Sequence, residues 1–388
     1  MRIAIFSPVA YDFLTQRPHQ LAKAFAELGH EVMFVEPVEN VIATSIRRLL
    51  GISEYRFENA RHAGVGVLRV PRFALPELNV PLLPMNATSG KVREYILRRL
   101  HGFLHGGQTT VAIIENPIQI EYIPVDAFDV VCYDCIDDFS VISGDTVGRN
   151  EHFLDEILEK AHVAFVTAGR LESEINRRKN NSIPIVRIPN GVDYDWFVHR
   201  SKNPETLLTR YDRPIVGYVG ALFQWVDVDW IIELARRKHD HVIMLVGPAS
   251  QDVRKKLSSA SENIVTVGEV PYDLIPLYIR SFSVGIIPFR TGSVAETTDP
   301  IKLYEYFALG KPVVAAGMPQ LDTYQRRGLL RIVLNADEGA QAIDELTMGD
   351  TAERRIQRQR IAEEHSWKFL AQRMVEAMTA DTEKRHNA

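Results

Sequence analysis

The sequence predicts two doubly wound α/β domains, each a parallel sheet with helices packed on its faces. Three observations predict it. Short β-branched runs alternate with helical patterns along the whole 388 residues. The runs are almost continuously apolar, as strands buried on both faces must be. The length suits two domains of roughly 100–200 residues each.

The elements follow in order. Strands are expected at 2–6, 31–35, 65–70, 110–115, 129–133 and 162–167, and a second series at 215–220, 242–246, 264–267, 284–289 and 312–316. A helix fits 18–28: Pro18 suits the first helical position, which needs no backbone N–H, and Gly29 suits the residue just past the end. The helix at 300–309 has Asp299 as its expected N-cap, Pro300 as its first residue and Gly310 as its stop. A helical region at 350–380 restarts at Ser366-Trp367, where Trp367, Leu370, Met374 and Met378 recur at helical spacing as one apolar stripe. Between the two series, Asp195, Asn203, Pro204, Asp212 and Pro214 interrupt the periodicity and place a domain boundary near 195–214. No repeat at fixed period and no low-complexity segment is present.

Composition narrows the class. At 46% apolar and 24% charged, the chain reads as an ordinary globular protein. A net charge of −5 argues against general nucleic-acid binding, which needs a basic footprint. No apolar run approaches the roughly 18–20 residues of a membrane span, and residues 1–6 pass directly into a strand pattern without a signal-peptide core. Two cysteines fit a reducing compartment. The expectation is a cytoplasmic protein. Residues 41–110 nevertheless hold ten Lys/Arg against four Asp/Glu, which points to a local anionic partner. With the basic amphipathic stretch 91–105, this region is expected as a peripheral contact with the inner face of a membrane, although a helix packed on the sheet gives the same pattern.

The approach to the helix at 300–309 is the most informative stretch. Lys302 and Glu305 stand three apart and share a face. A helix N-terminus offers free N–H groups and partial positive charge to a phosphate. A lysine in that first turn is disfavoured by the macrodipole unless an anion is present. A surface helix with a solvated Lys–Glu pair would carry the same residues.

The stretch Pro300-x-Lys302-x-x-Glu305-Tyr306-x-x-x-Gly310-Lys311-Pro312-Val313-Val314 resembles the nucleotide-sugar signature of GT-B glycosyltransferases. Ile188-Pro189-Asn190-Gly191-Val192-Asp193, with Phe197, resembles the end of the N-terminal domain in family 4 transferases, and Val219-Gly220-Ala221 the first strand and loop of their nucleotide domain. Asn263-Ile264-Val265-x-x-Gly268 and Val284-Gly285-Ile286-Ile287-Pro288 follow in the family's order. Arg17-Pro18-His19 resembles a bacterial branch typified by teichuronic acid glycosyltransferases.

The resemblance implies a GT-B fold, two Rossmann-like domains facing a central cleft: an acceptor-side domain of residues 1–198 plus 366–388, and a nucleotide-sugar-binding domain of residues 199–365. The last helix, from Ser366 to about Met378, would return to the N-terminal domain. It implies transfer of a sugar from a nucleotide-diphosphate sugar to an acceptor hydroxyl of a glycan or lipid-linked saccharide, without cofactor or metal. Glu305 would hold the ribose hydroxyls, Lys302 would neutralise the diphosphate, Gly220 and Ala221 would allow close backbone approach, and Thr297 and Thr298 would complete the donor site. A diphosphate leaving group needs its charge stabilised as the sugar–oxygen bond breaks.

Two departures from the family 4 pattern bear on mechanism. The first of its paired glutamates is Thr297 here, and its Arg and Lys after the Val-Gly strand give way to Gln224-Trp225-Val226-Asp227. The loop Tyr133-Asp134-Cys135-Ile136-Asp137-Asp138-Phe139-Ser140 instead resembles the catalytic loop of the inverting xanthan glucuronosyltransferase, whose base aligns with Asp137. A carboxylate base suits an acceptor hydroxyl that must lose its proton as it attacks, and Asp138 is its close rival. Ligands of open parallel sheets bind beyond the carboxyl ends of the strands, which also brings in Asp12, Arg17 and His19: Asp12 to orient the acceptor, Arg17 or His19 to meet donor phosphates. Cys132 and Cys135 lack the context of a redox or zinc motif. The Asp-x-Asp pairs at 193 and 227 read as linker and helix-start residues. The rival readings are a retaining family 4 enzyme, a sugar-nucleotide epimerase or phosphorylase on the same fold, and a two-domain sugar-binding protein.

Overall fold

The computed structural model describes residues 1–38, 64–70, 86–138, 151–178, 183–200 and 211–386. They form two compact units, Met1–Ile188 with Leu370–Ala388, and Pro189–Phe369.

In the first unit, β1 (Arg2–Phe6) lies between β2 (Glu31–Val35) and β4 (Thr110–Ile114). β3 (Val65–Leu68), β5 (Val130–Cys135), β6 (Val163–Val166) and β7 (Ile185–Arg187) complete a parallel sheet of order 3-2-1-4-5-6-7. The chain winds outward from β1 on one side and returns to β4 on the other, so β1 and β4 flank a topological switch point. The second unit repeats the plan with β8 (Ile215–Val219), β9 (Val242–Val246), β10 (Ile264–Gly268), β11 (Val284–Ile287), β12 (Val313–Ala316) and β13 (Leu330–Val333). Its parallel order is 10-9-8-11-12-13, with the switch point between β8 and β11.

The expected strands are present, and two more appear. β7 and β13 are the outermost strands at one edge of each sheet. Each has at most four residues and is only partly buried, so neither carries the continuous apolar run by which a central strand is read. The first unit ends at Ile188, ten residues before the expected 198. Val192 and Phe197 are fully buried in the second unit's core, and Val192 exchanges backbone hydrogen bonds with His365 and Trp367, which holds this segment there. At the other end, Leu370, Met374 and Met378 are buried in a stretch that groups with the first unit.

Residues 39–63 and 71–85, most of the basic region 41–110, lie outside the described residues. Within α1 (Asn86–Leu104), Val92, Ile96, Leu100 and Phe103 are buried in the first unit's core. The apolar stripe expected to meet a membrane surface is therefore already covered by the sheet, a correction to that reading. No helix among the described residues is long and apolar enough to cross a membrane.

Candidate functional site

The second unit builds its site from strand ends. β8, β9 and β10 each finish in Val-Gly, at Gly220, Gly247 and Gly268. Gly220 has φ +136° and Gly247 φ +141°, values that side-chain-bearing residues rarely adopt. A Cβ on Gly247 would stand 2.2 Å from the Gly220 carbonyl oxygen, and one on Gly220 would stand 2.4 Å from Lys302 Cε. Bare backbone here lets the loop after β8 lie directly against the lysine. Tyr218 Oη steadies that loop by donating to the Ala221 carbonyl at 3.0 Å.

Lys302 is the second residue of the helix Ile301–Ala308. The N-cap is Pro300, not the expected Asp299, and no side chain caps the helix. Asp299 is buried and used in tertiary contacts instead. Its Oδ2 accepts from the Asn190 backbone N–H at 2.6 Å, Tyr304 Oη donates to both of its carboxyl oxygens at 3.0 and 3.2 Å, and its carbonyl accepts from Asn190 Nδ2 at 2.6 Å. The first turn holds no acidic residue, so the positive end of the helix is not neutralised within it.

Lys302 is half-buried, with its amine 5.6 Å from the Tyr218 ring centre and 5.4 Å from that of Phe289. Both separations suit cation–π attraction. Burial lowers the pKa of this amine, against the opposing pull of Glu305. Glu305 is 6% exposed and accepts from Tyr272 Oη at 3.3 Å. Burial pushes its carboxyl up to about 7, with Lys302 and Tyr272 pulling the other way. Tyr272 is itself stacked on Trp196, 5.2 Å between ring centres and 6° between planes.

Tyr306 anchors the helix to the switch point. β8 and β11 pair only at Val216–Val284 and Gly217–Gly285. Beyond that, Tyr306 Oη accepts from Val219 N–H at 3.0 Å and donates to the Ile286 carbonyl at 3.3 Å. One buried hydroxyl thus satisfies a donor and an acceptor where the strands cease to pair. Thr297 is buried at the end of the preceding turn, and Gln320 Nε2 donates to the carbonyls of Ala295 and Thr298, both at 2.6 Å. The loop 220–227 contains no basic residue, but Arg290 reaches it from beyond β11: its backbone N–H bonds the Trp225 carbonyl at 2.8 Å and its Nε the Gln224 carbonyl at 3.1 Å.

In the first unit, Asp137 and Asp138 follow β5 and are partly exposed. Thr167 Oγ1 bonds the Ile136 carbonyl at 2.9 Å and Cys135 Sγ approaches the Asp137 carbonyl at 3.7 Å, which ties down the start of their loop. Arg17 is 2% exposed and grips Asp134 through Nε and one terminal nitrogen at 2.8 and 2.9 Å. His19 uses both ring nitrogens on backbone, Nδ1 accepting from Gln16 N–H at 3.2 Å and Nε2 donating to the Ala10 carbonyl at 3.1 Å, and burial lowers its pKa. The expectation that Arg17 or His19 meets phosphates is therefore corrected: both are built into the fold, one as a buried ion pair and one as part of the helix cap. Asp12 remains exposed, 3.9 Å from Arg69.

Smaller expectations also meet the structure. Burial pushes the Cys135 thiol up to about 12, which disfavours a reactive thiolate. Asp227 caps the helix Val228–Arg237 by accepting from Trp230 N–H at 3.0 Å. The reading of the sequence missed Tyr218, Phe289, Tyr272 and Trp196 around the Lys–Glu pair, and Glu115 in the first unit. The recurrence of Val-Gly at three strand ends was a legible signal for the crowding at Gly247, and Glu115 was legible as a lone carboxyl closing the apolar run 110–115.

Comparison with known proteins shows what the chain is similar to. Residues 213–348 match the family of glycosyl transferases group 1. A Bacillus subtilis (strain 168) protein described as a teichuronic acid biosynthesis glycosyltransferase is 24% identical over 269 residues, 64% of this chain and 66% of the relative, just under two thirds of its length. Among solved structures, sucrose-phosphate synthase from Thermosynechococcus elongatus superposes with a TM-score of 0.68 at 15% identity, covering 97% of both chains. Anabaena HepE in complex with UDP and glucose gives 0.70 at 14% identity, covering 97% of this chain and 99% of that one. A trehalose-6-phosphate structure from E. coli bound with UDP-2-fluoro glucose gives 0.69 at 10% identity, with 97% and 99% covered. These likenesses show the fold, that of the GT-B glycosyltransferases.

Proposed function

From a GT-B fold whose residues 213–348 match the family of glycosyl transferases group 1, we propose that this protein transfers a sugar from a UDP-type nucleotide sugar to a saccharide acceptor in polysaccharide biosynthesis. The observation that carries the reading is the Lys302–Glu305 pair on an uncapped helix, with Gly220 laid against the lysine. A helix N-terminus and an ammonium together suit a diphosphate. Glu305, as the ionised carboxylate, suits two ribose hydroxyls, since it is acceptor-only with two oxygens. The binding of UDP by Anabaena HepE and of UDP-2-fluoro glucose by the E. coli structure supports the choice of donor. The description of the Bacillus relative supports the choice of acceptor class.

In this reading Arg290 supplies the second cation of the donor site, in place of the basic residues absent from 220–227. Thr297 and Thr298 shape the wall behind the sugar. Asp137 is the base: its carboxylate takes the proton of the acceptor hydroxyl as that oxygen attacks the anomeric carbon, and the bond to the diphosphate breaks on the opposite face. The leaving charge passes to Lys302 and the helix N-terminus, where fixed dipoles need no reorganisation. The product is inverted. A retaining enzyme would have no use for Asp137 as a base on the acceptor, and Asp138 is the alternative base.

The test is a panel of nucleotide sugars scored by thermal stabilisation. A ligand that binds only the native state adds about 2.7 kcal/mol of apparent stability at a hundred times its Kd. UDP and UDP-sugars should raise the melting temperature of the wild type and do so far less in Lys302→Met. An equal rise in both would remove Lys302 from the donor site, and no rise with any nucleotide sugar would end the transferase reading.

A further inference from the structure

The first sheet holds a polar corner that the donor site and Asp137 leave without a task. Ser7 and Glu115 are the residues that follow β1 and β4, the two strands flanking that sheet's switch point. Register extends the row: Ile114 pairs with Tyr133, so Glu115 lies beside Asp134. Side chains alternate along a strand. Phe6, Ile114 and Tyr133 belong to the core on the face of α1, which puts Ser7, Glu115 and Asp134 on the other face, where Arg17 grips Asp134.

Asp134 is thus neutralised, and Glu115 is not. Glu115 is 4% exposed, and neither of its carboxyl oxygens has a hydrogen-bond partner among the described residues. Gln119 is equally buried. It donates Nε2 to the Ser7 carbonyl at 2.9 Å and leaves Oε1 without a partner among the described residues. Buried polar groups in native proteins are nearly always satisfied, and each exception asks for an explanation. Burial, reinforced by Asp134 and Asp137 and opposed by Arg17, raises the pKa of Glu115 well above the usual carboxylate range. That favours its neutral form, which has an O–H to donate, while Gln119 Oε1 can only accept. A hydroxyl both accepts and donates, so a polyol satisfies both groups.

We propose that Glu115 and Gln119 bind hydroxyls of the acceptor saccharide in the crevice at the β1–β4 switch point, holding the sugar whose reacting hydroxyl Asp137 deprotonates. This rests on the transferase reading above. It adds an acceptor site, on one unit, in the position where open parallel sheets take their ligands.

The test uses the full chain saturated with UDP and, as acceptor probes, the methyl glycosides of glucose, galactose, mannose and glucuronic acid, titrated by saturation-transfer NMR. At least one glycoside should bind the wild type. Glu115→Gln, which keeps a donor and an acceptor, should bind it within about threefold of wild type, whereas Glu115→Leu should weaken it about tenfold. Gln119→Leu should weaken it to a similar degree without touching the carboxyl, which covers the case of a Glu115→Leu variant that fails to fold. UDP affinity should be unchanged throughout. If no glycoside binds the wild type in the tens of millimolar, or if Gln119→Leu and Glu115→Leu bind it as the wild type does, the corner holds buried water only and the proposal falls. Failure of UDP to bind the wild type would strike the transferase reading instead, so the two failures are told apart.

Discussion

Replacing Glu305 by Gln should make the protein more stable and a worse nucleotide binder at the same time. In the folded chain the carboxyl is pushed up to about 7, against about 4.3 in an unfolded one. At 1.36 kcal/mol per tenfold change, ionising Glu305 in place disfavours the folded state by about 4 kcal/mol. The folded value lies above the unfolded one, so the stability that the neutral group contributes is complete below about pH 4 and is lost as pH rises through about 7. Glutamine has the same shape and no such titration. Glu305→Gln and the wild type should therefore be nearly equal near pH 4, diverge between there and about pH 7, and stay apart by about 4 kcal/mol at higher pH. Tryptophan fluorescence in urea reads the relevant unit selectively, because all four tryptophans, 196, 225, 230 and 367, lie within Pro189–Phe369. UDP affinity should move the other way. In the wild type it rises as Glu305 ionises through about pH 7, and in the variant it is about tenfold weaker and flat with pH. A stability difference independent of pH would refute the burial argument, and an unchanged UDP affinity would refute the ribose role.

Three further outcomes follow from the same geometry. Lys302→Met exchanges a desolvated amine for an apolar chain of similar length, so calorimetry should show UDP affinity reduced by about 1.5–3 kcal/mol with no loss of melting temperature. Arg17→Met leaves Asp134 buried and uncompensated and should cost about 3–5 kcal/mol of stability, whereas Asp12→Ala at an exposed site should stay within about 0.5 kcal/mol in the same denaturation assay. Asp137→Asn should lower turnover by about 10²–10⁴-fold with UDP affinity intact, and the anomeric proton coupling of the wild-type product should report inversion; a retained configuration with an active variant would make Asp137 structural.

How much of the site was legible depended on how local its parts are. Lys302 and Glu305 share one turn of helix, so spacing alone put them on one face. The role of Asp299 was misread because its partner, Asn190, lies 109 residues away in the chain: a carboxylate before a proline looks like a cap until a distant amide claims it. Arg17 and His19 looked free for the same reason. Asp134 stands 117 residues from Arg17, and Ala10 bonds His19 across a loop whose shape spacing does not reveal. Arg290 reaches the loop 220–227 through a contact between loops that follow neighbouring strands, β8 and β11, which only sheet order can bring together.

The sequence by itself determined the doubly wound plan of both units, the central strands, the position of the helix that carries Lys302 and Glu305, and the charge pair upon it. Those features are written in periodicity and in nearest-neighbour spacing, where the physics of strand burial and helix geometry acts over a few residues. The tertiary structure decided which charges are available. It paired Arg17, held Asp299 away from the helix N-terminus, pushed Glu305 to about 7 and left Glu115 buried with no hydrogen-bond partner among the described residues. Whether a polar group is solvated, paired or stranded depends on what packs around it in three dimensions, and the groups that decide it come from strands and loops far apart in the chain.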